Sequence, residues 1–190
     1  MLDKKRVVVV HGYGAGPESH WFPWLVAKLP KARVEIPALP DSSAPNFDTW
    51  IEAAAAAIAD ADEDTVLVGH SLGAVTALIA LATLPPERKL GGVVLVAGFA
   101  EALPGYEALD PFTLVPVDIE LLRARSNHRV VFVADSDPIV DPAFTRRLSS
   151  RFDAHLIVVP GAGHFQDTED KTEFPELLPV LEAAGITVDR

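Results

Sequence analysis

The stretch Thr65-Val66-Leu67-Val68-Gly69-His70-Ser71-Leu72-Gly73 joins a strand to a helix in one step. Residues 65–68 are apolar and β-branched and read as a buried strand. Residues 72–84 read as a helix, stopped by Pro85-Pro86. Between them, Gly69-x-Ser71-x-Gly73 leaves room only for a tight turn. Glycine suits both flanks, because a Cβ there would strike a neighbouring element. Such a turn lifts the Ser71 hydroxyl above the sheet. It also sets the Leu72 amide at a helix N-terminus, where it can donate to a developing oxyanion. The plainer use of the same turn is a serine that only caps the helix.

Short apolar runs and longer amphipathic stretches alternate on both sides of this turn. Residues 7–10 are four valines that end in His11-Gly12, a run suited to a strand buried on both faces. Residues 19–29 carry Trp21, Trp24, Leu25 and Leu29 at helical spacing, closed by Pro30. Residues 33–36 form a short, half-polar strand near a sheet edge. Residues 47–61 are Ala-rich and helical, with Trp50 and Ile51 inward. Further strands are expected at 92–97, 129–134 and 155–159. Helices are expected at 118–125 and 142–151, and a last one within 170–184 that starts as late as Pro175. Residues 100–116, with Pro104, Gly105, Pro111 and Pro116, read as loop. The alternation predicts an α/β fold, a single domain over residues 1–190. Its parallel sheet has about six strands, joined by right-handed crossovers, with helices on both faces. Residues 98–127 are the one stretch long enough for a lid, and they are too short for a large one.

A serine needs a base to become a nucleophile at neutral pH. His164 lies in Gly161-Ala162-Gly163-His164-Phe165, a glycine loop just after the last strand, and can swing over the sheet edge toward Ser71. His11 ends the first strand and helps shape the loop that follows it. His70 sits inside the elbow, with its side chain turned away from the nucleophile. His20 heads the first helix and can line a pocket. His128 and His155 lie at the wrong end of a parallel sheet. The base in turn needs an acid. Residues 135–141, Asp135-Ser136-Asp137-Pro138-Ile139-Val140-Asp141, offer three carboxylates after the fifth strand. Asp137, three residues before a Val, is the choice, Asp135 the alternative, and Asp141 a helix cap ahead of Pro142. The order Ser71, Asp137, His164 is that of the α/β-hydrolases. A second oxyanion donor would come from His11-Gly12-Tyr13-Gly14-Ala15-Gly16, from the amide of Gly12 or Tyr13. These glycines fit neither a phosphate loop nor a dinucleotide fingerprint. Phe99 and Phe165, each close behind a strand end, are expected to line the pocket. Trp21, Phe22 and Trp24 read mainly as helix-to-sheet packing.

Composition narrows the field. A chain of 190 residues with 49% hydrophobic and 23% charged residues is ordinary for a globular domain. It has no cysteine, which excludes disulfides, thiolate metal sites and a cysteine nucleophile. No clustered ligand set points to a metal, and no cofactor is expected. A net charge of −11 disfavours nucleic acid and anionic membrane surfaces as partners. Lys4, Lys5 and Arg6 precede only four valines, too few for a signal peptide, so a cytoplasmic location is expected.

These residues together resemble a family. The chain is similar to the small serine hydrolases of the YdeN and retinoblastoma-binding-protein-nine group, a compact branch of the α/β-hydrolases. The resemblance runs from Val7 to about Leu181. Its most specific stretches are His11-Gly12-Tyr13, His20-Trp21-Phe22-Pro23-Trp24-Leu25, residues 69–73, Gly98-Phe99-Ala100 and Gly163-His164-Phe165. It implies a minimal α/β-hydrolase with the triad roles on Ser71, Asp137 and His164. The retinoblastoma-binding motif of the animal members contains cysteine, so that interaction does not carry over. The expected activity is hydrolysis of a small-molecule ester, or an amide, through an acyl-enzyme. Acyl transfer or perhydrolysis at the same triad, and a catalytically weak protein-interaction module, are the alternatives. Without a large lid, a shallow pocket for short acyl groups is expected.

Overall fold

Runs of β-branched residues build the sheet, and their register aligns the loops that matter. The computed structural model describes residues 5–189; Lys4, named above, lies outside the described residues. The strands are β1 (Arg6–Val10), β2 (Arg33–Glu35), β3 (Thr65–His70), β4 (Leu90–Val96), β5 (Ser126–Ala134) and β6 (His155–Val159). They form one six-stranded sheet in the order β2-β1-β3-β4-β5-β6, with every pairing parallel. Val10 pairs with Gly69, His70 with Val96, Val96 with Phe132 and Ala134 with Val159. The C-terminal ends of five strands therefore lie along one edge. The strand order reverses beside β1, which opens the crevice where open α/β sheets place their sites.

Alternate residues feed two cores. Val8, Val10, Leu67, Val93, Leu95 and Val131 pack beneath α2 (Phe47–Ala57), α3 (Leu72–Ala82), α5 (Ile119–Ala124) and α6 (Pro142–Phe152). Val7, Val9, Val66, Val68, Val94 and Phe132 face α1 (Phe22–Lys28) and α7 (Leu177–Ala183). Trp21 and Phe22 are fully buried there, at the predicted helix-to-sheet contact. Trp21, Phe132 and Phe165 each meet Phe174, with ring centroids 4.8–5.2 Å apart. Each such ring stabilises the core by about 1.5–3 kcal/mol. Residues 72–81 of α3 are buried all round, as expected of a helix enclosed between sheet and neighbours. Arg6 opens β1 with ion pairs to Asp60 and Glu35, both at 2.6 Å. No helix among the described residues is long and apolar enough to cross a membrane.

Four boundaries differ from expectation. The first helix starts at Phe22 and not at 19, because His20 has φ +57° and Pro23 suits the first helical turn. Residues 100–116 are not simply loop: a 3-10 turn (Glu107–Leu109) leads into α4 (Asp110–Thr113). Pro111 sits in the first turn of α4, where its missing N–H costs nothing. The last helix starts at Leu177, after a 3-10 turn (Asp167–Glu169) that Asp170 ends in the left-handed region. The strand at 129–134 also begins earlier, at Ser126, which puts His128 inside β5.

Candidate active site

Ser71 stands between β3 and α3 with φ +56° and ψ −124°, a strained elbow. Its N–H is held by the Val96 carbonyl at 2.9 Å. The elbow packs against β1 so closely that a Cβ on Gly73 would overlap the Val10 carbonyl oxygen. Ser71 is 8% exposed, open enough for attack yet mostly shielded.

The structure brings His164 and Asp137 to this serine. His164 Nε2 lies 2.9 Å from Ser71 Oγ, and its Nδ1 lies 2.7 Å from Asp137 Oδ2. A carboxylate can only accept, so Nδ1 carries the proton and Nε2 is free to accept from the serine hydroxyl. The side chains of His164 and Asp137 are 1% and 2% exposed, so water competes little for these bonds. The other oxygen of Asp137 accepts from the N–H groups of Ile139 and Val140, at 2.8 and 2.9 Å. Those two amides aim the carboxylate. Asp135, the alternative acid, instead accepts from the Gly161 N–H at 2.8 Å. Asp141 caps α6 through the Ala143 N–H.

Two further residues hold the loop of His164, and sequence reading missed one of them. Glu169 Oε2 accepts from the His164 N–H at 2.6 Å and from the Gln166 N–H at 3.4 Å. Its carboxylate fills the space beside Gly163, where a Cβ would overlap it. The signal was Gln166-x-x-Glu169, a capping-box spacing that the 3-10 turn satisfies reciprocally. On the opposite side, His70 Nε2 lies 2.8 Å from the His164 carbonyl. His70 is 1% exposed, and burial holds it well below the ordinary histidine pKa.

The loop after β1 lies against the elbow. A Cβ on Gly12 would sit 2.9 Å from Ser71 Cβ and 3.1 Å from the His70 carbonyl, so only glycine allows this approach. His11 Nε2 accepts from the Leu39 N–H at 3.0 Å, so its Nδ1 donates to the Gly12 carbonyl at 2.9 Å. Burial lowers the His11 pKa and suits that neutral form. Among the described residues, neither the Leu72 nor the Tyr13 amide has a loop, turn or cap acceptor. Tyr13 is 53% exposed, and its hydroxyl donates to the Ser43 carbonyl at 2.7 Å.

A cavity of about 310 Å³ opens beside Ser71 and His164. Phe99 lines it, as expected. Phe165 does not: its φ of +58° turns the ring into the core against Phe174. His20 does not line it either. Its ring packs on Phe22 and His70, and Nδ1 sits 3.2 Å from Asp167 Oδ1. Burial lowers the His20 pKa, and Asp167 opposes that shift. Buried Phe99, Leu103 and Leu109 form part of its wall. Among the described residues, no group of three or more His, Cys, Asp or Glu side chains could hold a metal ion.

The serine hydrolase family model matches residues 7–183. The chain belongs to the serine hydrolase family. Like YdeN of Bacillus subtilis, this serine hydrolase is a short chain: the two are 35% identical over 179 residues, 93% of this chain and 94% of the relative. It is 25% identical to serine hydrolase RBBP9 of Rattus norvegicus over 189 residues, 96% and 97% of the two chains. The crystal structure of the ydeN gene product from B. subtilis superposes with a TM-score of 0.92 at 34% identity. That superposition covers 96% of this serine hydrolase and 99% of the other chain. The fold is the compact α/β-hydrolase fold without a large lid.

Proposed function

We propose that this hydrolase cleaves carboxylic esters of small molecules through a Ser71-His164-Asp137 triad and an acyl-enzyme. The observation that carries this reading is the continuous relay from Ser71 Oγ to His164 Nε2 at 2.9 Å and from His164 Nδ1 to Asp137 at 2.7 Å. His164 takes the Ser71 proton as Oγ attacks the carbonyl carbon. Asp137 holds the imidazole in the Nδ1–H form and stabilises the imidazolium. The amides of Leu72 and of Gly12 or Tyr13 receive the oxyanion. His164 then gives the proton to the departing alkoxide. Water, deprotonated by the same imidazole, releases the acid and restores Ser71.

Treatment with a fluorophosphonate followed by intact-mass spectrometry tests the proposal. The expected result is one adduct on wild type and none on Ser71→Ala. No adduct on wild type, or an equal adduct on the variant, overturns it.

A further inference from the structure

We propose that the cavity beside Ser71 is an acyl pocket for uncharged straight chains of about six to eight carbons, taking roughly 30 Å³ per water-sized group. The inference rests on the triad reading and adds the substrate class to it. The cavity holds about 310 Å³, room for about ten such groups. Two of these go to the reacting carbonyl carbon and oxygen and one or more to the open mouth beside Tyr13 and Tyr106, which leaves an acyl group of about six to eight carbons.

Away from Ser71, His164 and Gln166 its wall is mostly apolar, and most of that apolar part comes from three segments of the chain. Phe99 follows β4. Leu103, Tyr106 and Leu109 come from the segment ending in the 3-10 turn, and Ile139 and Val140 from the acid loop. Lys, Arg, Asp and Glu make up 23% of the chain, yet none of them lines this cavity. The lining residues Phe99, Leu103, Leu109 and Val140 are buried. The chain has two tyrosines, Tyr13 and Tyr106, and both line the cavity while 53% and 41% exposed, which places them at its mouth.

The chemistry assigns this space to the acyl group. Once the ester bond breaks, the acyl group stays on Ser71 Oγ while the alcohol must leave. A walled apolar space open to Ser71 suits the part that stays. Leu72, whose amide heads α3, also lines it, so the cavity adjoins the proposed oxyanion side. Each methylene that enters should raise kcat/KM by about fourfold until the space is full. A terminal carboxylate would find no cationic partner there, and the net charge of −11 repels it before entry.

The test measures kcat/KM of the full chain on p-nitrophenyl esters from acetyl to tetradecanoyl and on the succinyl half-ester. Butanoyl esters of lengthening alcohols are measured in parallel, with fluorophosphonate labelling of the same preparation. The expected profile rises about two-hundredfold over the four methylenes from acetyl to hexanoyl, peaks near six to eight carbons and falls beyond ten. The succinyl ester should lie at least about a hundredfold below the butanoyl ester. Leu103→Trp should move the peak toward acetyl, and the wild-type series decides the matter if that variant fails to fold. A labelled enzyme with a flat profile, a succinyl preference, or a dependence on alcohol length in place of acyl length overturns the pocket assignment alone. An unlabelled wild type overturns the triad reading itself.

Discussion

His70 Nε2 donates a 2.8 Å hydrogen bond to the backbone carbonyl of His164, so the residue beside the nucleophile holds the loop that carries the base. Glu169 grips the N–H of the same residue at 2.6 Å. The backbone of His164 is thus fixed on both sides while its ring bridges Ser71 and Asp137. A base placed by its backbone keeps its ring geometry without relying on side-chain packing alone.

Glu169→Ala should loosen this grip. The expected effect is a fall in kcat of up to about a hundredfold with little change in KM, since small misplacements of a reacting group are costly. Glu169→Gln keeps an acceptor for the His164 N–H and should restore most of the rate. Steady-state kinetics of the pair checks this, and equal loss in both variants would show that charge matters and not the bond.

The two carboxylates of the acid loop should separate sharply. Asp137→Asn should lower kcat by about 10³–10⁴-fold, because an amide no longer holds the Nδ1–H form. Asp135→Asn should leave kcat nearly unchanged, because its partner is the Gly161 N–H, which an amide oxygen also satisfies. Kinetics on both variants with one ester substrate gives the comparison.

Two glycines should fail in different ways. A Cβ at Gly73 meets the carbonyl oxygens of Val10 and His11, which are backbone and cannot swing aside. Gly73→Ala should cost more than about 4 kcal/mol or prevent folding. Gly12→Ala meets Ser71 Cβ at 2.9 Å and the His70 carbonyl at 3.1 Å, a local conflict. It should cost about 1–3 kcal/mol while activity falls much further. Thermal melts beside kcat/KM values distinguish the two.

Acid should destabilise the fold through its buried histidines. Burial lowers the pKa values of His11, His20 and His70 from the ordinary 6.5. Above pH 6.5 both folded and unfolded chains hold these rings neutral, and the linkage is silent. Below it the unfolded chain takes up protons that the folded chain refuses, so stability falls. His70, whose pKa burial lowers furthest below the ordinary value, contributes to that loss over this range. Melting temperature should drop by several degrees between pH 6.5 and 5.5, and a His70→Asn variant that still folds should show a shallower slope.

The elbow was legible because its signal is local: strand, Gly-x-Ser-x-Gly and helix are contiguous. His164 was legible because a glycine loop after the last strand has few other uses. The choice between Asp135 and Asp137 was weaker, because the two lie on one short loop and differ in a distant partner, the His164 ring for Asp137 and the Gly161 amide for Asp135. Phe165 misled because its left-handed backbone, which sends the ring to Phe174, leaves no mark in a sequence. Glu169 escaped because its one mark, the Gln166-x-x-Glu169 capping-box spacing, announces a helical turn and not the His164 amide that it grips. Of the cavity wall Phe99 was legible, and Leu103, Tyr106, Leu109, Ile139 and Val140 escaped because they are scattered along the chain and only the fold brings them together.

The strand order has a consequence for how the chain matures. Ser71, Asp137 and His164 follow β3, β5 and β6, and β3 reaches β5 only across β4. No contiguous piece of the polypeptide short of residues 71–164 contains all three groups, and the sheet joins them only when residues 155–159 close its outer edge. A reactive serine recovered during refolding therefore reports that β3, β5 and β6 have all taken their places in one sheet.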